Sequence, residues 1–164
     1  MSTPLVGIVM GSYSDWPLVQ KAADTLRSFG VPFEVRVMSA HRTPDVACEY
    51  ASTAEQRGLK VIIAAAGLAA HLGGVLAAHT VLPVIGIPMP GGPLNGQDAL
   101  YATVQMPSGI PVATVGIGNA ANAALLAVQI LGTADESLRA KFTDHKAAMR
   151  SKVIAADAKL NASL

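Results

Sequence analysis

Short apolar runs alternate with amphipathic stretches along most of this chain. LVGIVMG (5–11) is an apolar run closed by glycine. SDWPLVQKAADTLRSFG (14–30) follows, with Leu18, Ala22, Leu26 and Phe29 at helical spacing, Asp15 where an N-cap belongs, Pro17 in the first turn and Gly30 at the end. FEVRVMS (33–39) alternates Phe33, Val35 and Val37 with Glu34 and Arg36, the mark of a strand with one wet side at a sheet edge. TPDVACEYASTAEQRG (43–58) reads as a second helix, opened by Thr-Pro and closed by glycine. KVIIAAAG (60–67) is apolar after its first residue, as a central strand of a parallel sheet must be.

The alternation continues. A helix weakened by two glycines is predicted over 68–80 and a fourth strand over 84–88. The Gly- and Pro-rich loop MPGGPLNGQ (89–97) is too long for a simple connection. A short helix (98–106), a fifth strand (111–118) and its helix (119–132) come next. Strands alternating with helices give a parallel sheet with right-handed crossovers and helices on both faces. An edge-like second strand beside apolar first and third strands fits a three-layer, flavodoxin-like α/β fold with strand order 2-1-3-4-5. Residues 134–160 are charged and helical, with no strand to follow. They form a C-terminal extension helix that packs on the domain or on a neighbouring subunit. The whole of 1–164 is expected to be a single domain, the size that suits one core.

Composition narrows the class. Charged residues are 14% of the chain, where about 25% is usual, and the net charge is +1, so no electrostatic case exists for nucleic acid or a membrane surface. The lone Cys48 excludes an internal disulfide and suits a reducing, cytoplasmic setting. The first residues lack a basic n-region and a cleavage site, so no signal peptide is expected. The run VIIAAAGLAA (61–70) is about half the length that crosses a bilayer. Between Lys60 and Asp135 a single residue, Asp98, is charged. Either this segment is an Ala-rich core, or its uncharged helix faces are covered by other copies, making a homo-oligomer.

In an open parallel sheet, ligands bind beyond the carboxyl ends of the strands. Three loops lie there: GSYSD (11–15), SAHRTP (39–44) and AGLAAHL (66–72). Ser12 and Ser14 offer hydroxyls at a helix start, either for an anion such as phosphate or as ordinary caps. Asp15 could cap its helix or bind sugar hydroxyls. Arg42 precedes a helix start, where a cation opposes the dipole unless an anion is shared. His41 stands beside it, and histidine is the residue type suited to proton transfer near neutrality. Ser39, Gly67 and His71 occupy the same loops and complete the candidate binding set. His79 is eight residues beyond His71, about 12 Å along a helix, so the two cannot share a metal. No zinc site is expected, and the GxGxxG dinucleotide fingerprint is absent after the first strand. From the residues alone this is an oligomeric α/β domain with a phosphate-bearing small ligand and a histidine near it.

With GSYSD, SAHRTP, AGLAAHL, DALYATVQMPSGIPV (98–112) and NAANAALLA (119–127) in order, the chain resembles the PurE family of carboxyaminoimidazole ribonucleotide mutases. The resemblance implies transfer of a carboxyl group from the exocyclic nitrogen of a ribonucleotide to ring carbon 4, without metal or organic cofactor. It implies a cytoplasmic enzyme of purine biosynthesis, an octamer with sites shared between subunits. It assigns Ser12, Ser14, Asp15 and Arg42 to ribose and phosphate, and His41 to general acid-base work. A second class in the family carboxylates aminoimidazole ribonucleotide with free carbon dioxide and typically carries Lys where this chain has Arg42. The rival from outside the family is a flavodoxin-like module that holds a phosphorylated ligand without turnover. Leu68 and Gly73 stand where many members have Gly and Pro, and Pro90–Pro93 replaces a stretch that often carries serines.

Overall fold

The computed structural model describes residues 3 to 164. They divide into two compact units between Ala127 and Val128. The first holds strands β1 (Val6–Met10), β2 (Phe33–Val37), β3 (Val61–Ala66), β4 (Val84–Pro88) and β5 (Ala113–Thr114). All pairings are parallel and the order is β2-β1-β3-β4-β5, as the sequence pattern predicts. Its helices are α1 (Trp16–Phe29), α2 (Pro44–Thr53), α3 (Leu72–Ala78) and α4 (Gln97–Val104); the unit boundary falls within α5 (Ala120–Gly132).

The three central strands have no wet side. Every residue of β1 and β4 is buried, and so is β3 up to Ala65. In register, Ile8 stands beside Val35 and Ile63, and Ile63 beside Ile85. Val9, Ile62, Ala64 and Val84 point to one face, where Ala47, Tyr50 and Ala51 of α2 and Leu72 and Leu76 of α3 close over them. Ile8, Met10, Ile63, Ile85 and Ile87 alternate onto the other face and are equally inaccessible. Each such side chain contributes roughly 1.5 to 3 kcal/mol on removal from water. Close approach has a sequence cost: Gly7 faces α2, and a methyl group there would run into the hydroxyl of Tyr50.

The edges differ. β2 lacks the in-and-out alternation its sequence predicts: Phe33, Glu34 and Val35 are all half-buried and Arg36 and Val37 both exposed, because this edge strand is only partly covered, and Glu34 pairs with Arg57 at 2.6 Å. β5, predicted over 111–118, pairs only at Ala113 and Thr114. Pro111 has no donor to give a ladder, and the chain turns away at Gly118, whose φ is +67°.

Other boundaries shift for local reasons. In α1 the inward row is Val19, Ala22, Ala23, Leu26 and Phe29, so Val19 replaces the predicted Leu18. Gly30 ends the helix in the left-handed region (φ 74°) with its N–H on the carbonyls of Arg27 and Leu26. α3 starts at Leu72 instead of 68, because Leu68 itself is left-handed (φ 56°). α2 stops at Thr53, ahead of the left-handed Gly58.

In the second unit, α6 (Glu136–Asn161) is capped by Asp135, whose Oδ1 accepts from the Leu138 N–H at 3.1 Å. Leu138 is its one buried residue. Among the described residues no helix is long and apolar enough to cross a membrane.

Candidate active site

The carboxyl ends of β1, β2 and β3, with the loop after β4, surround a cavity of about 560 Å³. Ser12, Ser14, Asp15, Ser39, His41, Arg42 and Gly67 all line it. These are seven of the eight candidates read from the sequence. His71, the eighth, does not line the cavity. It reaches the site through His41: His41 Nε2 and His71 Nδ1 lie 2.8 Å apart, with the rings edge to face at 84°.

The β2–α2 junction is built around two hydroxyls. Thr43 Oγ1 accepts from the Ser39 N–H at 2.9 Å and donates to the Ser39 carbonyl at 3.2 Å. Ser39 Oγ accepts from the backbone N–H groups of His41 (3.3 Å) and Arg42 (3.2 Å). The turn therefore uses its polar groups to fix two adjacent residues whose side chains are both exposed. Ser39 is thus a builder of the turn as well as part of the cavity wall.

Arg42 reaches back to β1, donating from Nη2 to the Gly11 carbonyl at 2.9 Å. It makes no ion pair among the described residues. A guanidinium pinned beside a helix start, with no carboxylate partner, suits an incoming anion. Next to Gly11, Ser12 Oγ accepts from the Ser14 N–H (3.3 Å) and the Ser14 hydroxyl (2.8 Å). Asp15 holds the cap position of α1, but its side chain makes no capping bond. That leaves the carboxylate available to a ligand. Burial pushes the Asp15 carboxyl above its ordinary value of 3.8, against a lowering from the Ser12 backbone.

The loop after β4 was legible as too long, but its residues were not assigned to the site. Met89, Pro90, Gly91 and Gly92 line the cavity, together with Leu68. The loop is tied to β3 by the Met89 N–H on the Ala66 carbonyl at 2.8 Å. Leu68 and Asn95 are the described non-glycine residues with positive φ, each at 56°. For leucine that conformation costs about 1 to 2 kcal/mol. No group of three His, Cys, Asp or Glu among the described residues is placed to hold a metal ion.

An open parallel sheet with serine hydroxyls, an arginine and a histidine pair at its carboxyl rim defines a flavodoxin-like protein with a polar cavity where such sheets bind ligands. Residues 5–152 match the model of the AIR carboxylase family. The chain belongs to that family. It is 57% identical over 150 residues to the N5-carboxyaminoimidazole ribonucleotide mutase of Pyrococcus horikoshii, covering 92% of this chain and 85% of that one. It is 54% identical over 152 residues to the phosphoribosylaminoimidazole carboxylase of Candida albicans, covering 93% of this chain but 27% of that longer protein. The crystal structure of Treponema denticola PurE superposes with a TM-score of 0.87 at 33% identity, covering 96% of this chain and 98% of the other.

The raised Asp15 carboxyl has a sign that can be tested. Ionised Asp15 is disfavoured in the folded chain, so it costs stability above its folded pKa and nothing below its unfolded one. Asp15→Asn is expected to raise the urea midpoint at pH 7 and to leave it unchanged at pH 3. An Asn variant less stable at pH 7 would show that the carboxylate supports the fold.

Proposed function

We propose that the protein is an N5-carboxyaminoimidazole ribonucleotide mutase of purine biosynthesis, moving a carboxyl group from the exocyclic nitrogen of the substrate to ring carbon 4. The observation that carries this reading is the β2–α2 junction, where His41 and the unpaired Arg42 stand side by side on one cavity rim. Relatives named as mutases match nearly the full chain, which supports it.

Arg42, Ser12 and Ser14 hold the phosphate, and Asp15 accepts from the ribose hydroxyls. Ser39 and Gly67 shape the wall against the ring. The carbon–nitrogen bond to the carboxylate breaks, its electron pair stays on nitrogen, and nitrogen takes a proton. Carbon 4 then attacks the retained carbon dioxide and loses its own proton. The two transfers balance, so one proton-exchanging group can serve both; the position of His41 on the cavity wall supports giving it that role. His71 orients His41 through the 2.8 Å contact, in which one ring nitrogen donates and the other accepts. The enzyme's work is containment and proton placement more than bond polarisation. Neither metal nor organic cofactor enters this account.

The same reading makes the protein a cytoplasmic homo-octamer with sites shared between subunits. The apolar side chains left exposed in the uncharged segment support assembly: Val81 is 82% exposed and Tyr101 62%. Light scattering at micromolar concentration is expected to give a high-order oligomer; a stable monomer would overturn this part.

The deciding assay offers carboxyaminoimidazole ribonucleotide in one vessel and aminoimidazole ribonucleotide with bicarbonate in another. Turnover of the first without added bicarbonate is expected; turnover only in the second would make the protein a carboxylase, and turnover in neither a binding module. His41→Asn should fold and bind substrate, while turnover and carbon 4 proton exchange fall by about 10² or more. Near-normal turnover in that variant, with His71→Asn dead but folded, would exchange the two roles. Arg42→Ala should weaken substrate binding by roughly 2 to 4 kcal/mol, through loss of a charge-assisted contact in a partly dry site. Unchanged affinity would place the phosphate elsewhere.

A further inference from the structure

We propose that Leu68 is a positioning residue that seats the Met89–Gln97 loop against the substrate cavity, and that its left-handed backbone aims the side chain for this purpose. The proposal rests on the mutase reading and concerns the closure of that same site.

Leu68 combines three properties that core packing does not explain together. Its backbone is left-handed, where glycine is the undemanding choice. Its side chain is 55% exposed, so burial does not repay that strain as it does for the residues beneath it. And it is directed at one particular place in the facing loop. A methyl group added at Gly92 would run into Leu68 Cδ2, so the leucine fills the space that a side chain at Gly92 would need. Gly92 is itself left-handed (φ 63°), and both residues line the cavity.

Leucine and glycine here form a knob and a hole between the loop after β3 and the loop after β4. The root of the β4 loop is already fixed by Met89 on Ala66. Its far half turns on itself, the Gln97 N–H meeting the Leu94 carbonyl at 3.0 Å. Leu68 meets the part between at Gly92, in the stretch Pro90 to Gly92 that forms part of the cavity wall. In a reaction that must keep carbon dioxide between two steps, how firmly that wall is seated sets how often the intermediate is lost.

Three substitutions separate the contact from the backbone. Leu68→Gly removes both knob and strain. Leu68→Asn keeps a residue tolerant of the left-handed region but removes the apolar contact. Leu68→Met keeps an apolar side chain of similar reach. Each is assayed for mutase turnover and for the share of product released as aminoimidazole ribonucleotide.

The Gly and Asn variants are expected to raise KM about tenfold and to increase the released share at least about threefold, with melting temperatures within about 3 °C of the parent. The Met variant should restore both values to within about twofold. If Gly and Asn kept KM and product partition within about twofold, the loop role would be wrong while the mutase reading stood. If they failed to fold, Leu68 would be a stability residue and the proposal would be wrong. A parent chain without mutase activity would overturn the underlying reading, and this proposal with it.

Discussion

A sheet buried on both faces can place chemistry only at its rim. β1, β3 and β4 have no exposed residue between their first position and their last two, so a polar group inside them would have no partner. The polar residues of this unit therefore gather where the strands end. Parallel pairing puts those ends on one side, and the order β2-β1-β3 brings the loops holding Ser12, His41 and Gly67 together. The site follows from the core before any residue is chosen for chemistry.

Within that rim, the turn after β2 sets the fine geometry. Ser39 and Thr43 exchange hydrogen bonds across four residues, and Ser39 Oγ receives the N–H groups of the two residues that face the cavity. With its backbone donors committed, the turn leaves the His41 imidazole and the Arg42 guanidinium to act outwards. Arg42 is further restrained by the Gly11 carbonyl, so part of the entropy of ordering its long side chain is already spent before a ligand arrives.

Much of this was legible in the sequence. Helical and strand periodicities gave all five strands, their order and the helices between them, and the positions following strands one to three gave seven of the residues that line the cavity. What was not legible depends on contacts between segments distant in the chain. Pairing of His41 with His71 joins residues thirty positions apart. The shortness of β5 depends on what β4 offers it, and Val19 replaces Leu18 because the helix rotates against a sheet whose face the pattern alone leaves open. Asp15 occupies the capping position that the pattern predicts without making the capping bond; only coordinates separate those two facts. The β4 loop was visible as too long, yet nothing in PGGP states that it faces Leu68.

The two ends of the sheet also decide how copies of this chain can meet. Open sheets invite association strand to strand, since an edge presents unpaired backbone groups. Here one end carries Glu34 and Arg36, and the other is a strand of two residues beside a proline. Neither offers a straight, uncharged template for another chain. Growth by sheet extension, the route to fibres, is closed at both ends. A second copy of this chain would find its contacts on helix and loop surfaces, not along a sheet edge.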